Sequence, residues 1–202
     1  MNRLVQPQED NVAAPSALDL SAAELDVVGS VFAQILSEVG VDGNGVFASL
    51  RQGTSFADAL SLPRGVVELL YARAYRWASI GRFDKARSLF QVLCLLESLS
   101  ADYWVGYGVC LKMTDTFDAA ATAFHSAHRC RPDWAVPHFH LLDLAMRRSR
   151  WGEAAEALRA FDQSPASDLP ADVVAQASRL RLALALRLGQ PSASETPTDA
   201  LK

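Results

Sequence analysis

Four histidines and three cysteines are the residues of this chain that could build a metal centre or a nucleophile. His125, His128, Cys130, His138 and His140 crowd into one stretch. A zinc site would need ligands at recurrent spacings, and no CxxC pair accompanies these histidines. His125 and His128 fall on one helical pattern and His138 and His140 on the next. They are therefore expected to be polar, half-buried helix faces, with no metal. Cys94 and Cys110 lie in the apolar runs Val92–Leu96 and Gly108–Leu111. A nucleophilic cysteine needs a base and an activating environment; these runs supply neither, so small apolar filler is expected. Asp42-Gly43-Asn44-Gly45 resembles the start of a calcium loop but lacks the remaining ligands and the distal glutamate, and reads as a turn. Arg147-Arg148-Ser149-Arg150 suits the negative end of a helix dipole and a solvated face. No carboxylate pair stands out, and there is no Gly-rich phosphate loop. The expectation is a protein without catalytic residues or cofactors, not an enzyme.

Composition narrows the class further. The chain has 202 residues, half of them apolar and 21% charged, close to the globular norm. Its net charge of −4 is uneven: residues 1–62 carry eight acidic side chains and two basic ones, residues 63–202 fifteen and seventeen. A nucleic-acid partner calls for a clustered basic face, which is missing. Charges interrupt the apolar stretches before a bilayer-spanning length, so no membrane segment is expected. The N-terminus has no apolar h-region of a secretory signal. Three cysteines inside helical patterns suit reduced thiols in the cytoplasm.

Helical periodicity organises the rest. Residues 1–19 are polar with Pro7 and Pro15 and read as a disordered arm. Ser21 and Glu24 form a capping box. After it Leu25, Val28, Phe32, Ile35, Leu36 and Val39 share one face, until Gly40. A turn is expected over Val41–Gly45, then short helices near Val46–Gln52 and Ser55–Leu60. Residues 20–62 thus form an N-terminal helical region.

From Pro63 the chain repeats itself. Gly81-Arg82-Phe83, Asp115-Thr116-Phe117 and Ser149-Arg150-Trp151 recur at a constant spacing. Each aromatic is followed by Ala86, Ala120 or Ala154, then by Phe90, Phe124 or Leu158. This period is that of tetratricopeptide repeats, helix–turn–helix units that stack into a superhelix. The units are 67–100, 101–134 and 135–168, an all-α architecture. Position 8 holds the small residues Ala74 and Gly108, but Leu142 in the third unit, where the contact between helices must loosen or rearrange. Position 4 holds Trp104 in the second unit alone. Asp115 and Ser149 replace the usual turn glycine. Val173, Ala177, Leu180, Leu184 and Leu188 make the stripe of a capping helix over about 170–188, with Asp168 as N-cap, completing a repeat region over 63–189. Residues 190–202 are rich in Pro, Ser and Thr and read as a disordered tail.

First helices of such units line an inner, concave wall. Its inward positions include Tyr71, Tyr75 and Ala78, then Val105, Val109 and Lys112, then Phe139, Asp143 and Met146. These nine are the candidate peptide-binding residues. An apolar, aromatic floor suits an extended or helical peptide with apolar anchors. Repeats that grip a C-terminal carboxylate place lysine and asparagine where this chain has Tyr71, Tyr75, Val105 and Val109, so that clamp is absent.

Leu69-Leu70-Tyr71-Ala72-Arg73-Ala74-Tyr75, Gly81-Arg82-Phe83-Asp84-Lys85-Ala86 and Phe90-Gln91-Val92-Leu93-Cys94-Leu95-Leu96 resemble the class II chaperones of bacterial type III secretion. Tyr103-Trp104-Val105-Gly106-Tyr107-Gly108-Val109-Cys110 is similar to that family's second repeat. The resemblance covers about residues 45–165; the acidic arm, the Asp115 turn and the third unit depart from it. It implies a bacterial cytoplasmic chaperone whose partners are the hydrophobic translocator proteins, held by a segment in the groove. It also implies a homodimer through residues 20–62, and in some relatives joint action with a transcription regulator. A generic repeat scaffold and a needle-subunit chaperone are the alternatives.

Overall fold

The computed structural model describes residues 22–165 and 169–189. Among them are ten α-helices and no strand. The arm, the tail, Ser21 of the capping box and Asp168 lie outside the described residues, as do the side chains of Glu24, Leu25, Val28 and Phe32. Two compact units divide between Thr54 and Ser55.

The first unit is a helix pair, α1 (Ala22–Glu38) and α2 (Gly43–Arg51). The second helix starts earlier than its apolar pattern suggested, because the Asp42 carboxylate accepts from the Gly45 N–H at 3.1 Å and caps it. The pair packs through glycines. A Cβ on Gly29 would lie 2.0 Å from the Phe47 ring, and one on Gly43 would lie 2.1 Å from the Ala33 carbonyl oxygen. Gly29 and Ala33 are the buried residues of α1 among those described, while Val27, Val31, Ile35 and Val39 are exposed.

The second unit begins with a short helix, α3 (Phe56–Ala59), capped by Ser55. It stands with the repeats rather than with residues 20–54, since Ala57 is buried in the cluster that holds Val67, Phe90 and Leu93. Three helix pairs follow: α4 (Arg64–Ser79) with α5 (Phe83–Leu96), α6 (Ala101–Met113) with α7 (Phe117–Cys130), and α8 (Val136–Arg147) with α9 (Trp151–Gln163). The last helix, α10 (Ala171–Leu188), packs on α8 and α9.

All three repeat turns close in the same way. Gly81, Asp115 and Ser149 have φ of 76°, 57° and 56°. The N–H one residue further on then donates back across the turn, Arg82 to Trp77, Thr116 to Leu111 and Arg150 to Ala145, at 2.8, 2.9 and 2.9 Å. This is the Schellman closure, which satisfies the last carbonyls of a helix and needs a left-handed residue. Serine adopts that conformation at a cost that glycine avoids.

The second unit of the array is the tightest. A Cβ on Gly106 would lie 2.3 Å from the Phe90 ring, and one on Gly108 would lie 2.6 Å from the Phe124 ring. Two glycines one residue apart thus seat aromatic rings from α5 and α7 against α6. In the third unit Leu142 stands where Gly108 stood, yet it is fully buried. It packs among Ala154, Ala157 and Leu184 of α10. Small residues on α9 and a leucine on the capping helix accommodate it, which is the rearrangement its size demanded.

A buried ionic network joins α6 to α8. Lys112 Nζ donates to Asp143 Oδ2 at 2.6 Å and lies 3.4 Å from His140 Nδ1. Arg147 adds a second bond to Asp143 at 3.2 Å. The His140 ring stacks on Phe124 at 4.9 Å. Burial raises the Asp143 pKa, but the Lys112 bond and charge, with Arg147, outweigh it and hold the carboxyl below its usual range. Burial and the neighbouring Lys112 charge push His140 down to about 3, against the opposing pull of Asp143.

Three outcomes are expected. Ser149→Gly relieves a left-handed serine and raises Tm by roughly 2–4 °C in a thermal melt, for about 1 kcal/mol; Asp115→Gly gains less, since aspartate tolerates this region better. Gly108→Ala overpacks the α6–α7 contact and costs about 1–3 kcal/mol, read as a fall in the urea midpoint. His140 stays neutral in the fold down to about pH 3 but ionises near pH 6.5 when unfolded. The unfolded chain therefore binds the extra proton, and stability falls as pH drops through that window. Melts from pH 7 to 4 should show a shallower loss in His140→Phe than in the parent.

Candidate functional site

The first helices of the pairs touch one another, α4 on α6 and α6 on α8, and so form one continuous wall. Its open part lies on α4 and α6. Tyr71 and Tyr75 are one turn apart on α4 and are 37% and 64% exposed, with ring centroids 6.5 Å apart. Tyr71 lies 5.4 Å from the ring of Tyr103 on α6 and packs edge-on to Phe90 at 6.2 Å. The Phe90 contact fixes Tyr71 from below, while Tyr75 stays free to meet a ligand. Ala78 packs at the edge of the first core cluster. Val105 and Val109 are half-buried on α6, and Met113 is exposed at its end.

On α8 the wall differs from the sequence expectation. Phe139 is buried, packed with Ala135, Phe161 and Ala177 beneath α10. Its ring lies 6.5 Å from that of Phe161, so it is core rather than groove. Lys112 and Asp143 are buried too, at 6% and 5% exposure, and are consumed by their mutual ion pair. Helical spacing put both on inward positions, but a lysine and an aspartate on adjacent first helices satisfy each other before they can serve a ligand. Met146 is half-buried against the third cluster. Of the nine candidates, Tyr71 and Tyr75 stand side by side and exposed on α4, while Val105 and Val109 are half-buried on α6, the latter against the second core cluster. The structure adds Tyr103, which the repeat register did not place among the inward positions. An aromatic residue directly before Trp104, at the start of a first helix, was the available signal.

The electrostatics of this surface are negative. Burial raises the Tyr71 hydroxyl pKa, with Asp102 and Tyr75 adding to it. Tyr103 is raised by burial, then by Glu97, Tyr71, Asp102 and Glu68. Asp102 is itself paired with Arg131 at 3.1 Å.

The residues that could have carried chemistry are placed otherwise. Cys94 and Cys110 are buried, and burial pushes their thiols up to about 12 and about 11. At neutral pH both are protonated and neither is a nucleophile. His128 and His138 bring their rings within 4.5 Å on α7 and α8. Burial, then His128 and His125, lower the His138 pKa. Among the described residues no group of three His, Cys, Asp or Glu side chains is placed to hold a metal ion. His125 and His138 line a cavity of about 320 Å3 between α7, α8 and α9, rimmed by the Asp118–Arg148 pair. No described helix is long and apolar enough to cross a membrane.

No family model matches the sequence. The chaperone protein SicA of Salmonella typhimurium is 25% identical over 79 residues, 39% of this chain and 48% of that protein. The low calcium response locus protein H of Yersinia pestis is 24% identical over 127 residues, 62% of this chain and 69% of that protein. The chain thus spans about half the length of the first of these relatives. Among solved structures, the translocator chaperone SycD of Yersinia enterocolitica superposes with a TM-score of 0.59 at 19% identity, covering 66% of this chain and 98% of that one. PcrH from Pseudomonas aeruginosa superposes with a TM-score of 0.55 at 21% identity, covering 61% and 95%. SycD has also been solved with a peptide of the translocator YopD, and PcrH with the chaperone-binding region of PopD. The chain therefore has the fold of the type III secretion translocator chaperones, and part of its sequence is similar to the chaperone protein SicA.

Proposed function

We propose that this chain is a chaperone of the bacterial cytoplasm that holds an apolar segment of a type III translocator on the wall formed by α4 and α6. The observation that carries this reading is the cluster of the exposed Tyr71 and Tyr75 with the half-buried Tyr103. Three aromatic rings gathered on the inner helices of a repeat stack, with no catalytic group beside them, suit a peptide with apolar anchors. A protein destined for a bilayer exposes segments that aggregate in water, and covering one of them keeps the client soluble and fit for export. The likeness of fold to SycD and PcrH, solved with segments of YopD and PopD, supports a translocator segment as the ligand. Self-association through residues 20–62 is part of the reading. Val27, Val31 and Ile35 form an exposed apolar stripe on α1 of the kind that pairs with another helix.

Co-expression of the chain with translocators encoded beside it tests the reading. The client is expected to become soluble and to co-purify; a client that stays insoluble in the presence of the chain would sink it. Tyr71→Ala with Tyr75→Ala should weaken client binding at least tenfold by titration calorimetry, with the helical circular dichroism unchanged. Loss of helicity in that variant would place the tyrosines in the core.

A further inference from the structure

Beside the aromatic cluster a second cavity opens, about 290 Å3 in volume, between α3, the start of α4 and the start of α6. Its inner side is apolar, made by Ala57, Leu62 and Val67. Tyr103 forms one wall, and the same ring faces Tyr71 at 5.4 Å, so the cavity adjoins the proposed binding surface. Asp58, Glu68 and Glu97 stand around it. Asp58 is engaged at the α3 cap, where its carboxylate accepts from the Ser55 hydroxyl at 2.9 Å. Asp102 nearby is answered by Arg131. The carboxylates of Glu68 and Glu97 have no cation within ion-pair distance among the described residues.

We propose that this cavity is a subsite for a lysine or arginine side chain of the bound segment. The fit is that of an amphipathic side chain. The aliphatic stem lies against Ala57, Leu62 and Val67, the face of Tyr103 flanks it, and the charged head meets Glu68 and Glu97 at the mouth. An acidic side chain would be repelled by the two carboxylates. The volume exceeds that of one long side chain and leaves room for water around the head group. The raised Tyr103 hydroxyl, to which Glu97 and Glu68 both contribute, reports the same negative potential. The client segment is thereby defined as an apolar anchor for Tyr71 and Tyr75 with a basic residue close by. This rests on the function proposed above.

A tiled array of synthetic 15-residue peptides covering a co-purified translocator supplies the probe, with the full chain as the receptor. The bound peptide is expected to contain a lysine or arginine whose replacement by norleucine weakens binding about tenfold. The Glu68→Gln, Glu97→Gln double variant should lose the same factor for the parent peptide and none for the norleucine peptide. Raising NaCl from about 50 to 500 mM should weaken only the parent peptide. If a peptide binds but carries no basic residue, or binds equally well as the norleucine form, the subsite is overturned and the groove reading stands. If the double variant weakens both peptides equally, its effect is structural and the subsite is again overturned. If no peptide binds, the groove reading fails and the subsite with it.

Discussion

Phe90 and Phe124 rest against α6 because Gly106 and Gly108 present no side chain to them. A Cβ at either position would sit inside van der Waals contact with a ring, at 2.3 and 2.6 Å. Much follows from that approach. Phe90 in its seat carries Tyr71 edge-on, and Tyr71 in turn faces Tyr103. The aromatic surface that a ligand would meet thus leans, through Phe90, on the missing methyl group at Gly106. Cys94 and Cys110 fill the small spaces left nearby, which explains a thiol at each place without any reactivity. The residues that make the sequence similar to secretion chaperones, Phe90 to Cys94 and Gly106 to Cys110, are in large part the residues of this one packing arrangement.

The repeat architecture was legible because its signals are local and periodic. The left-handed turns at Gly81, Asp115 and Ser149 fell on the expected residues, and α10 ends at Leu188 as its stripe and Gly189 indicated. The wall was half legible. Helical spacing places residues on a face but does not say which of them find partners on the next helix. Tyr75 stays open, and Tyr71 is covered only in part, by Phe90 and by Tyr103 of α6. Phe139 has the same register and is buried, because α10 closes over that end of the array. Lys112 and Asp143 were invisible as a pair, since their contact joins residues from separate units. The α2 start was missed because Asp42 caps through its side chain four residues ahead of Val46, where the apolar pattern begins.

Charge is distributed along the wall with a purpose that single residues do not reveal. Toward α8 the charges cancel: Lys112 meets Asp143, and Arg147 closes the set. Toward α3 and the start of α4, Glu68 and Glu97 line a cavity and pair with no cation among the described residues. Buried pairs such as Lys112–Asp143 contribute little net stability against well-packed apolar residues, although breaking one is costly. Here the pair fixes the register of α8 on α6, and it leaves His140 as a neutral plate between Lys112 and Phe124.

Leu142 has one more consequence. A repeat array can normally grow or shrink by whole units, since every unit offers the next the same face. The third unit does not. Its leucine at the small-residue position is covered by Leu184, so its cover comes from α10 rather than from a fourth helix pair. A copy of the second unit inserted ahead of α10 would take Leu184 away from the cluster that holds Leu142. Three units is therefore a length this sequence has committed to, and its descendants can change what the wall holds more readily than how long it is.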